Sequence, residues 1–284
     1  MKLSDVVQIL KTHQQEIRSL MIHAGEAVME IYNNPTLIEV QSKRDTSPLT
    51  SADIASHKIL CQGLASIHAS WPVLSEESET PDAESRMAWT TFWLVDPLDG
   101  TQEFIHRSDE FTINAALILE GKPIAGWVCA PATAELYEAI GSTAPLTQNQ
   151  KTALIRTRTL STPPTLLSSR RHDTDLMDTT LADFQSIYGH CDLRARGSSL
   201  KICELAAGRA DFYPRLGPTH EWDTAAAHAV LKAAGGDIFN LNNAPLTYNQ
   251  TTQTLNPYFI AVADIQSPQR AHLIEKLKQH CADN

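Results

Sequence analysis

The sequence predicts an α/β protein with mixed sheets. Along the chain, helical spacing of apolar residues alternates with short apolar runs that are typical of buried strands. Two such runs, 111–119 and 124–130, flank Glu120-Gly121-Lys122-Pro123, an arrangement typical of a hairpin, so part of a sheet is antiparallel. With 284 residues the chain is long enough for one large α/β unit or for two packed halves.

In the N-terminal part, the sequence predicts two helices and four strands besides the two strands of the hairpin. Apolar spacing indicates an amphipathic helix over 4–32 that begins at Ser4 and stops at Asn33-Asn34-Pro35. A second helix runs from Thr50 to about residue 67, with Thr50 as the N-cap and Asp53 completing a variant of the capping box. Strands are predicted over 37–40, 71–74, 92–95 and 136–140.

Residues 141–164 are rich in Ser, Thr, Pro and Gln, which indicates a boundary near residue 160 between an N-terminal half, 1–160, and a C-terminal half, 161–284. In the C-terminal half, helices are expected after Gly197-Ser198-Ser199, from Trp222 to about Ala234, and after Ser267-Pro268. Strands are expected over 165–169, 210–213, 237–240 and 258–263.

Composition and charge favour a soluble, cytoplasmic protein. No apolar run approaches the roughly 20 residues needed to span a bilayer, and the N-terminus lacks the apolar segment of a signal peptide. The five cysteines are scattered without metal-binding spacing, which indicates reduced thiols and argues against a structural zinc site. A net charge of −10 argues against a nucleic-acid polymer as partner, yet it permits a small phosphorylated substrate if bound cations reverse the local sign.

A stiff acidic turn follows the central strand. The apolar run 92–95 ends in Asp96-Pro97-Leu98-Asp99-Gly100-Thr101, where the proline fixes φ and the glycine permits unusual backbone geometry. Such a turn can aim the carboxylates of Asp96 and Asp99 and the carbonyl of Leu98 at one point, an oxygen-only donor set that suits Mg²⁺. Taken alone, the same residues also fit a loop in which Asp and Gly only supply turn chemistry.

Three further acids stand at the ends of predicted elements: Asp53, Glu76 and Asp223. Each has a local explanation, since an acid can cap a helix, favour its first turn or lie in a solvated surface turn. Brought together without a counterion, these carboxylates would repel one another and shift one another's pKa values. Together with Asp96 and Asp99, they make sense as a site for two or more divalent ions.

These acidic motifs resemble the paired signature of the inositol monophosphatase superfamily. The resemblance rests on residues 96–101 and on Trp222-Asp223-Thr224-Ala225-Ala226, with Ser75-Glu76-Glu77-Ser78 and Asp53 ahead of them in the order of the family. It spans roughly residues 43–236. It implies the αβαβα layered sandwich of the sugar phosphatases, an α+β arrangement with mixed sheets.

Within the superfamily the chain is similar to the 3′(2′),5′-bisphosphate nucleotidases. The stretches that carry this similarity are 43–50, 93–101, 197–201 and 213–219. One departure is Asp109, in the loop after the metal motif, where glycine is expected. The resemblance implies a Mg²⁺-dependent, lithium-sensitive hydrolase that converts adenosine 3′,5′-bisphosphate to AMP and phosphate in sulfate assimilation.

The resemblance also implies roles for single residues. Two or three Mg²⁺ ions per active site would be held by Glu76, Asp96, the Leu98 carbonyl, Asp99 and Asp223. Asp53 and Thr101 would form a relay that takes a proton from the attacking water. The resemblance implies a catalytic role for Glu76 as well. Substrate contacts are assigned to Glu76, Leu98, Asp99, Gly100, Thr101, His172, Gly197, Ser198, Ser199, Lys201 and Asp223.

Several of these residues also fit plainer roles. The Thr101 hydroxyl can cap its turn, and Gly197-Ser198-Ser199 can be an anion seat at a helix N-terminus or only a helix cap. Lys201 can be a solvated lysine that supplies a point charge. A lone histidine such as His172 is often a surface residue.

Two other functions stay open from the sequence. The same metal chemistry serves inositol monophosphate or a sugar bisphosphate equally well, and a nucleotide-binding regulatory protein without turnover belongs to a different class. Retention of every acidic motif argues against the regulatory protein. The sequence carries no signal of oligomeric state. Loose attachment to the inner membrane, which the resemblance suggests from some bacterial relatives, finds no support in a chain of net charge −10 without a cationic amphipathic helix.

Overall fold

In the part of the chain that the structure describes, helices form three layers around two large sheets. The computed structural model describes residues 1–43, 47–169 and 174–282. Over these residues no helix is long and apolar enough to cross a bilayer. The helices there are α1 (Leu3–Thr12), α2 (Gln14–Asn33), α3 (Ser51–Ile67), α4 (Ala83–Met87), α5 (Thr101–Ile105), α6 (Thr174–Tyr188), α7 (Leu200–Ala206), α8 (Glu221–Ala234) and α9 (Arg270–Ala282).

Most strands of the N-terminal part join one sheet of seven. Strands β1 (Val40–Ser42) and β2 (Pro48–Thr50) pair separately with each other. The seven-stranded sheet contains, in spatial order, β3 (Val73–Ser75), β4 (Thr91–Asp99), β5 (Thr112–Leu119), β6 (Lys122–Ala130), β7 (Glu135–Ile140), β8 (Pro145–Gln148) and β9 (Lys151–Leu154). β3 and β4 run parallel, and the other neighbours run antiparallel.

The second sheet has five strands and is also mixed. Its strands are β10 (Thr165–Ser168), β11 (Asp192–Ala195), β12 (Phe212–Arg215), β13 (Asp237–Asn240) and β14 (Phe259–Val262). Their spatial order is β11-β10-β12-β14-β13, with β10 parallel to β11 and β12, and β14 antiparallel to β12 and β13. The predicted α/β class with mixed sheets is therefore confirmed.

Alternate residues of each sheet face different helix layers. In β4, Trp93 packs in a core with α1, α2 and α3, whereas Phe92 packs in a core with α7 and α8. In β12, Tyr213 shares that second core, while Phe212 packs with α6 and α9 on the far side. The order of layers is thus helix, sheet, helix, sheet, helix, as the αβαβα prediction expects.

Helix α8 lies between the two sheets and crosses β6 at very short range. A Cβ atom on Gly126 would lie 2.3 Å from the carbonyl oxygen of Ala226, so only glycine fits there. The Ala-rich face of α8 makes this approach possible and buries the helix almost completely. Its first turn, which carries Asp223, is thereby fixed between the sheets.

Several local predictions agree with the structure. Thr50 is the N-cap of α3 and forms a capping box with Asp53. Strands β5 and β6 form the expected hairpin, but its turn is only Glu120-Gly121, with φ angles of 50° and 74°. Positive φ at both turn residues matches the twist of two-residue hairpins, which explains the shorter connection.

Other local predictions are wrong. The helix predicted over 4–32 is interrupted at His13, and Ser4 lies inside α1 because its N-cap is Lys2. Of the strand predicted over 37–40, Leu37 ends a 3₁₀ turn that begins at Pro35, residues 38–39 belong to no helix or strand, and β1 begins only at Val40. The sequence pattern does not predict helices α4, α5 and α6 or strands β8, β9 and β11.

Candidate active site

The acidic residues converge where strand ends and helix starts meet. Because β3 and β4 run parallel, their carboxyl ends lie at the same edge of the sheet, and Glu76 N donates to Val95 O at 3.1 Å. Glu76 follows β3, while Asp96 and Asp99 lie at the end of β4. Asp53 and Asp223 occupy the third positions of α3 and α8. The fold therefore assembles acids that are distant in sequence.

A β-bulge orients the two aspartates of β4. Asp96 pairs with Asn114 and Asp99 with Thr112, so two residues of β4 stand opposite one residue of β5. Such a bulge shifts the alternation of side chains and re-aims them. Asp96 Oδ1 also accepts a hydrogen bond from Leu98 N at 3.0 Å, which tightens the turn around Pro97.

The carboxylates of this cluster raise one another's pKa values. Burial and the negative charges of Glu76, Asp99 and Asp223 raise the pKa of Asp96 well above its ordinary value. Burial and the charges of Asp99 and Glu76 do the same to Asp223. Burial raises the pKa of Asp99 to about 6, although Lys201 opposes the shift. The cluster is thus short of positive charge.

This donor set fits Mg²⁺. Every donor is an oxygen, and a divalent cation would supply the charge that the raised pKa values show to be missing. The carboxylates lie close together but do not enclose an ion as they stand, since no group of three or more acid, histidine or cysteine side chains among the described residues has metal-binding geometry. Lys43 Nζ instead contacts Glu76 Oε1 and Glu77 Oε1, each at 2.6 Å.

Thr101 and Asp53 lie in direct contact. Thr101 Oγ1 is 3.3 Å from Asp53 Oδ1 and 3.2 Å from the Leu98 carbonyl oxygen. The other oxygen of Asp53 accepts from Thr50 N at 2.7 Å. Burial raises the pKa of Asp53, although the hydrogen bonds from Thr50 oppose the shift. The capping role and the contact with Thr101 therefore coexist, because they use different oxygens.

One pocket joins the acidic cluster to residues of the C-terminal part. Seven of the predicted site residues line it: Asp99, Gly100, Gly197, Ser198, Ser199, Lys201 and Asp223. Five others are not in its wall: Asp53, Glu76, Asp96, Leu98 and Thr101. His172 lies outside the described residues. The structure thus brings the predicted metal side and the predicted substrate side together at Asp99 and Asp223.

The turn Gly197-Ser198-Ser199 contacts the acidic cluster directly. Ser199 N donates to Asp99 Oδ2 at 2.5 Å, and Ser199 Oγ donates to Asn114 Oδ1 at 2.8 Å. Ser199 makes no side-chain cap to α7. Lys201 is buried, with Nζ 3.2 Å from the Arg196 carbonyl oxygen and 5.2 Å from the centre of the Tyr213 ring. The turn is fixed to β4 and β5 rather than being a solvated loop.

The stretch 213–219 suggests Tyr213 and Arg215 as pocket residues, and both line this pocket. The sequence did not point to Arg196, Glu103, Thr219 or Thr224, which line it as well. Arg215 Nη1 donates to Ser169 Oγ at 2.9 Å, and Arg215 is 9% exposed. For Arg196 the only signal in the sequence is its position, since it directly precedes the Gly197 turn.

Comparison with known proteins agrees with this architecture. The 3′(2′),5′-bisphosphate nucleotidase CysQ of Escherichia coli K12 is 43% identical over 244 residues, which cover 86% of this chain and 97% of that protein. The crystal structure of CysQ from Bacteroides thetaiotaomicron superposes with a TM-score of 0.79 at 36% identity, covering 90% of this chain and 98% of the other.

A more distant structure shares the fold alone. The inositol monophosphatase of Anabaena (Nostoc) has a TM-score of 0.71 at 22% identity, covering 95% of this chain and 96% of the other. The sequence profile of the inositol monophosphatase family matches residues 10–280. The chain therefore belongs to the inositol monophosphatase family.

Proposed function

We propose that this protein is a Mg²⁺-dependent phosphomonoester hydrolase that converts adenosine 3′,5′-bisphosphate to AMP and phosphate. The observation that carries the proposal is the pocket in which Asp99 and Asp223 face Lys201 and the Gly197–Ser199 turn. An acidic wall suits bound cations, and the cationic side chains opposite suit further negative charge on the same substrate. The CysQ nucleotidases, 43% identical over nearly their whole length, support this substrate class.

The acidic cluster is the proposed metal site. Glu76, Asp96, Asp99, Asp223 and the Leu98 carbonyl are the proposed ligands, for two or three Mg²⁺ per site. When bound, Mg²⁺ neutralises phosphate charge, lowers the pKa of water and stabilises the leaving oxygen. In the structure Lys43 occupies one face of Glu76, so its ammonium and an ion at Glu76 compete for the same oxygen.

Asp53 and Thr101 are the proposed proton relay. In hydrolysis the water oxygen forms a bond to phosphorus, the bond from phosphorus to the ribose oxygen breaks, and one proton moves from the water toward that ribose oxygen. A threonine hydroxyl is a poor base unless a carboxylate accepts its own proton. Thr101 Oγ1 donates to Asp53 Oδ1, which is the arrangement that this step requires.

The other end of the pocket is the proposed substrate side. Gly100 and Thr101 supply backbone amides in a tight turn that can hold a phosphate oxygen. Gly197, Ser198 and Ser199 line the pocket from the turn, and Lys201 lines it from α7. The backbone amides of Gly197 and Ser199 anchor this turn. The resemblance adds His172 to this side. A nucleotide seated between the two walls would place its 3′-phosphate at the acids and its 5′-phosphate at the cations.

The setting that fits this reaction is the cytoplasm, as a clearance step in sulfate assimilation. A reduced state of all five cysteines agrees with that compartment, and each is a free thiol here. We place no part of the chain in a membrane.

Product analysis tests the proposal against its rivals. Purified protein with Mg²⁺ should release AMP and phosphate in equal amounts from adenosine 3′,5′-bisphosphate, as resolved by chromatography. Adenosine 3′-phosphate as the product would reverse the proposed orientation. Binding of the nucleotide without any product would instead identify a regulatory binding protein. Faster turnover of inositol 1-phosphate or a sugar bisphosphate would assign the same metal site to another ester.

A further inference from the structure

Glu110 is a buried carboxylate that the proposed reaction does not use. It precedes β5 and is 6% exposed. Its Oε2 atom accepts a hydrogen bond from Gly197 N at 2.8 Å, and its Oε1 atom accepts from Arg196 Nη1 at 3.0 Å. One carboxylate therefore holds the two residues that lead into Ser198, across a separation of 86 and 87 residues in sequence.

The backbone fits the same contact closely. A Cβ atom on Gly197 would lie 2.6 Å from the Glu110 carbonyl oxygen and 2.9 Å from the Glu110 Cβ. Backbone atoms cannot yield as a flexible side chain can, so only glycine permits this approach. The position of Gly197 is thus set by Glu110 through both a hydrogen bond and close packing.

The far end of the turn is held independently. Ser199 N donates to Asp99 Oδ2 at 2.5 Å, and Ser199 Oγ lies 2.8 Å from both Asn114 Oδ1 and Thr112 Oγ1. Between the two anchors, Ser198 has a φ of 47°, a left-handed conformation that costs a non-glycine residue of order 1 kcal/mol. Such a conformation persists only where its surroundings fix it.

Lys201 depends on the same carboxylate. Its Nζ atom donates to the carbonyl oxygen of Arg196 at 3.2 Å, and Glu110 holds the guanidinium of that arginine. Both Lys201 and Arg196 line the pocket. A shift of Arg196 would therefore displace its own guanidinium from the pocket wall. It would also take the Arg196 carbonyl oxygen away from the Lys201 ammonium.

We propose that Glu110 is a positioning residue for substrate binding, which fixes the Gly197–Ser199 turn and Lys201 toward the pocket. The inference rests on the proposed function, since it assumes that this wall receives the nucleoside and its second phosphate. Glu110 touches no reacting atom in this scheme. It should therefore govern affinity for the nucleotide while leaving the chemical step almost unchanged.

The test is a KM and kcat comparison of Glu110→Gln with wild type. Both oxygens of Glu110 accept hydrogen bonds, whereas glutamine has one acceptor oxygen and one amide group that donates. Either Gly197 N or the Arg196 guanidinium therefore loses its acceptor. KM for adenosine 3′,5′-bisphosphate should rise about 10-fold, with kcat within about twofold. KM for p-nitrophenyl phosphate, which has neither nucleoside nor second phosphate, should change less than about twofold.

Glu138→Gln is the matched control. Glu138 is a buried carboxylate that pairs with Arg18 of α2, on the side of the seven-stranded sheet that faces α1 to α3. In both variants a buried glutamate loses its ion pair with a more exposed arginine, but Glu138 lies away from the pocket, so the control should leave both KM values unchanged. Equal KM increases in both variants would mean a general loss of stability and would overturn the proposal.

The outcome for the Glu110→Gln variant and for wild type decides whether the proposal stands. A folded Glu110→Gln variant with wild-type KM overturns the proposal outright. If that variant does not fold, Gly197→Ala replaces it, because the added methyl must displace the same contact and should give the same KM rise. A wild-type protein that leaves the bisphosphate intact would contradict the proposed function alone. Calorimetric binding of AMP to wild type and Glu110→Gln would then decide the role of Glu110.

Discussion

Thr101 Oγ1 donates a hydrogen bond to Asp53 Oδ1 over 3.3 Å, although 48 residues separate them in sequence. Asp53 Oδ2 accepts from Thr50 N and Thr50 Oγ1 at 2.7 and 2.6 Å, which closes the first turn of α3. The helix thereby fixes the carboxylate, and the carboxylate presents its second oxygen to the turn after β4. A capping residue is here also the candidate proton acceptor of the site.

Asp53→Asn should lower kcat by about 100-fold or more, because the amide cannot accept a proton from Thr101. The substitution also weakens the cap of α3, which costs about 1 kcal/mol of unfolding free energy. Steady-state kinetics and thermal melting separate the two effects. Thr101→Ser retains the hydroxyl and should keep most of the activity. A nearly normal kcat in Asp53→Asn would remove Asp53 from the relay.

Asp96→Asn should abolish Mg²⁺-dependent turnover and, without metal, should stabilise the fold. Asp96 is buried beside three carboxylates, so removing its charge relieves repulsion. Thermal melting in a chelator should show a rise of about 2–4 °C in Tm, corresponding to about 1 kcal/mol. Asp192→Asn, at an exposed position of β11, is the control and should change neither property. Retained activity in Asp96→Asn would overturn the metal site.

The contribution of the acidic cluster to the stability of the metal-free protein should fall as pH rises from about 4 to about 7. The folded-state pKa of Asp99 is raised to about 6, and those of Asp96 and Asp223 are raised well above their ordinary values near 4. A raised folded pKa gives stability below the unfolded pKa that is lost as pH rises through the folded pKa. Urea unfolding at several pH values, with chelator or with Mg²⁺, measures this slope.

Mg²⁺ should flatten that slope, because it supplies the positive charge that protons supply at low pH. The lowered pKa values of Asp211 and Asp237 act with the opposite sign at more acidic pH, and the lowered pKa of the buried His228 does so as pH rises toward neutrality. The informative quantity is therefore the difference between wild type and Asp99→Asn. Identical slopes in the two proteins would contradict the repulsion argued for the cluster.

Lithium should inhibit the enzyme at roughly millimolar concentration, because Li⁺ would replace one Mg²⁺ among the carboxylates. Phosphate release at fixed Mg²⁺ and increasing LiCl measures the effect, with NaCl as the control for ionic strength. Full activity at tens of millimolar Li⁺ would count against this assignment of the metal site.

The sequence predicts the local elements of the site better than the long-range contacts that bring these elements together. The turn after β4, the capping box at Thr50 and the helix at Asp223 each follow from local rules of proline, glycine and capping chemistry. The contact from Glu110 to Gly197 spans 87 residues and has no local pattern. Such contacts depend on how the two sheets pack, which periodicity does not record.

Three local features escaped prediction for other physical reasons: strand β9, the break in the first helix at His13, and the conformation of Asp109. β9 is exposed along its whole length, so it lacks the alternation that marks a half-buried strand. Neither proline nor glycine stands at the interruption at His13, and apolar spacing continues on both sides of it. Asp109 adopts a φ of 61° where glycine was expected, and Tyr32 Oη donates to its carboxylate at 2.7 Å. That partner compensates a conformation that the sequence alone would disfavour.

Phosphate release from adenosine 3′,5′-bisphosphate, measured in chelator and again after Mg²⁺ is restored, tests the metal site and the substrate together. Inositol 1-phosphate is assayed beside it under the same conditions. We expect no release in chelator, rapid release with Mg²⁺, and a clear preference for the nucleotide. A preference of about tenfold for the inositol ester would contradict the nucleotide assignment. Full activity in chelator would contradict the metal site itself.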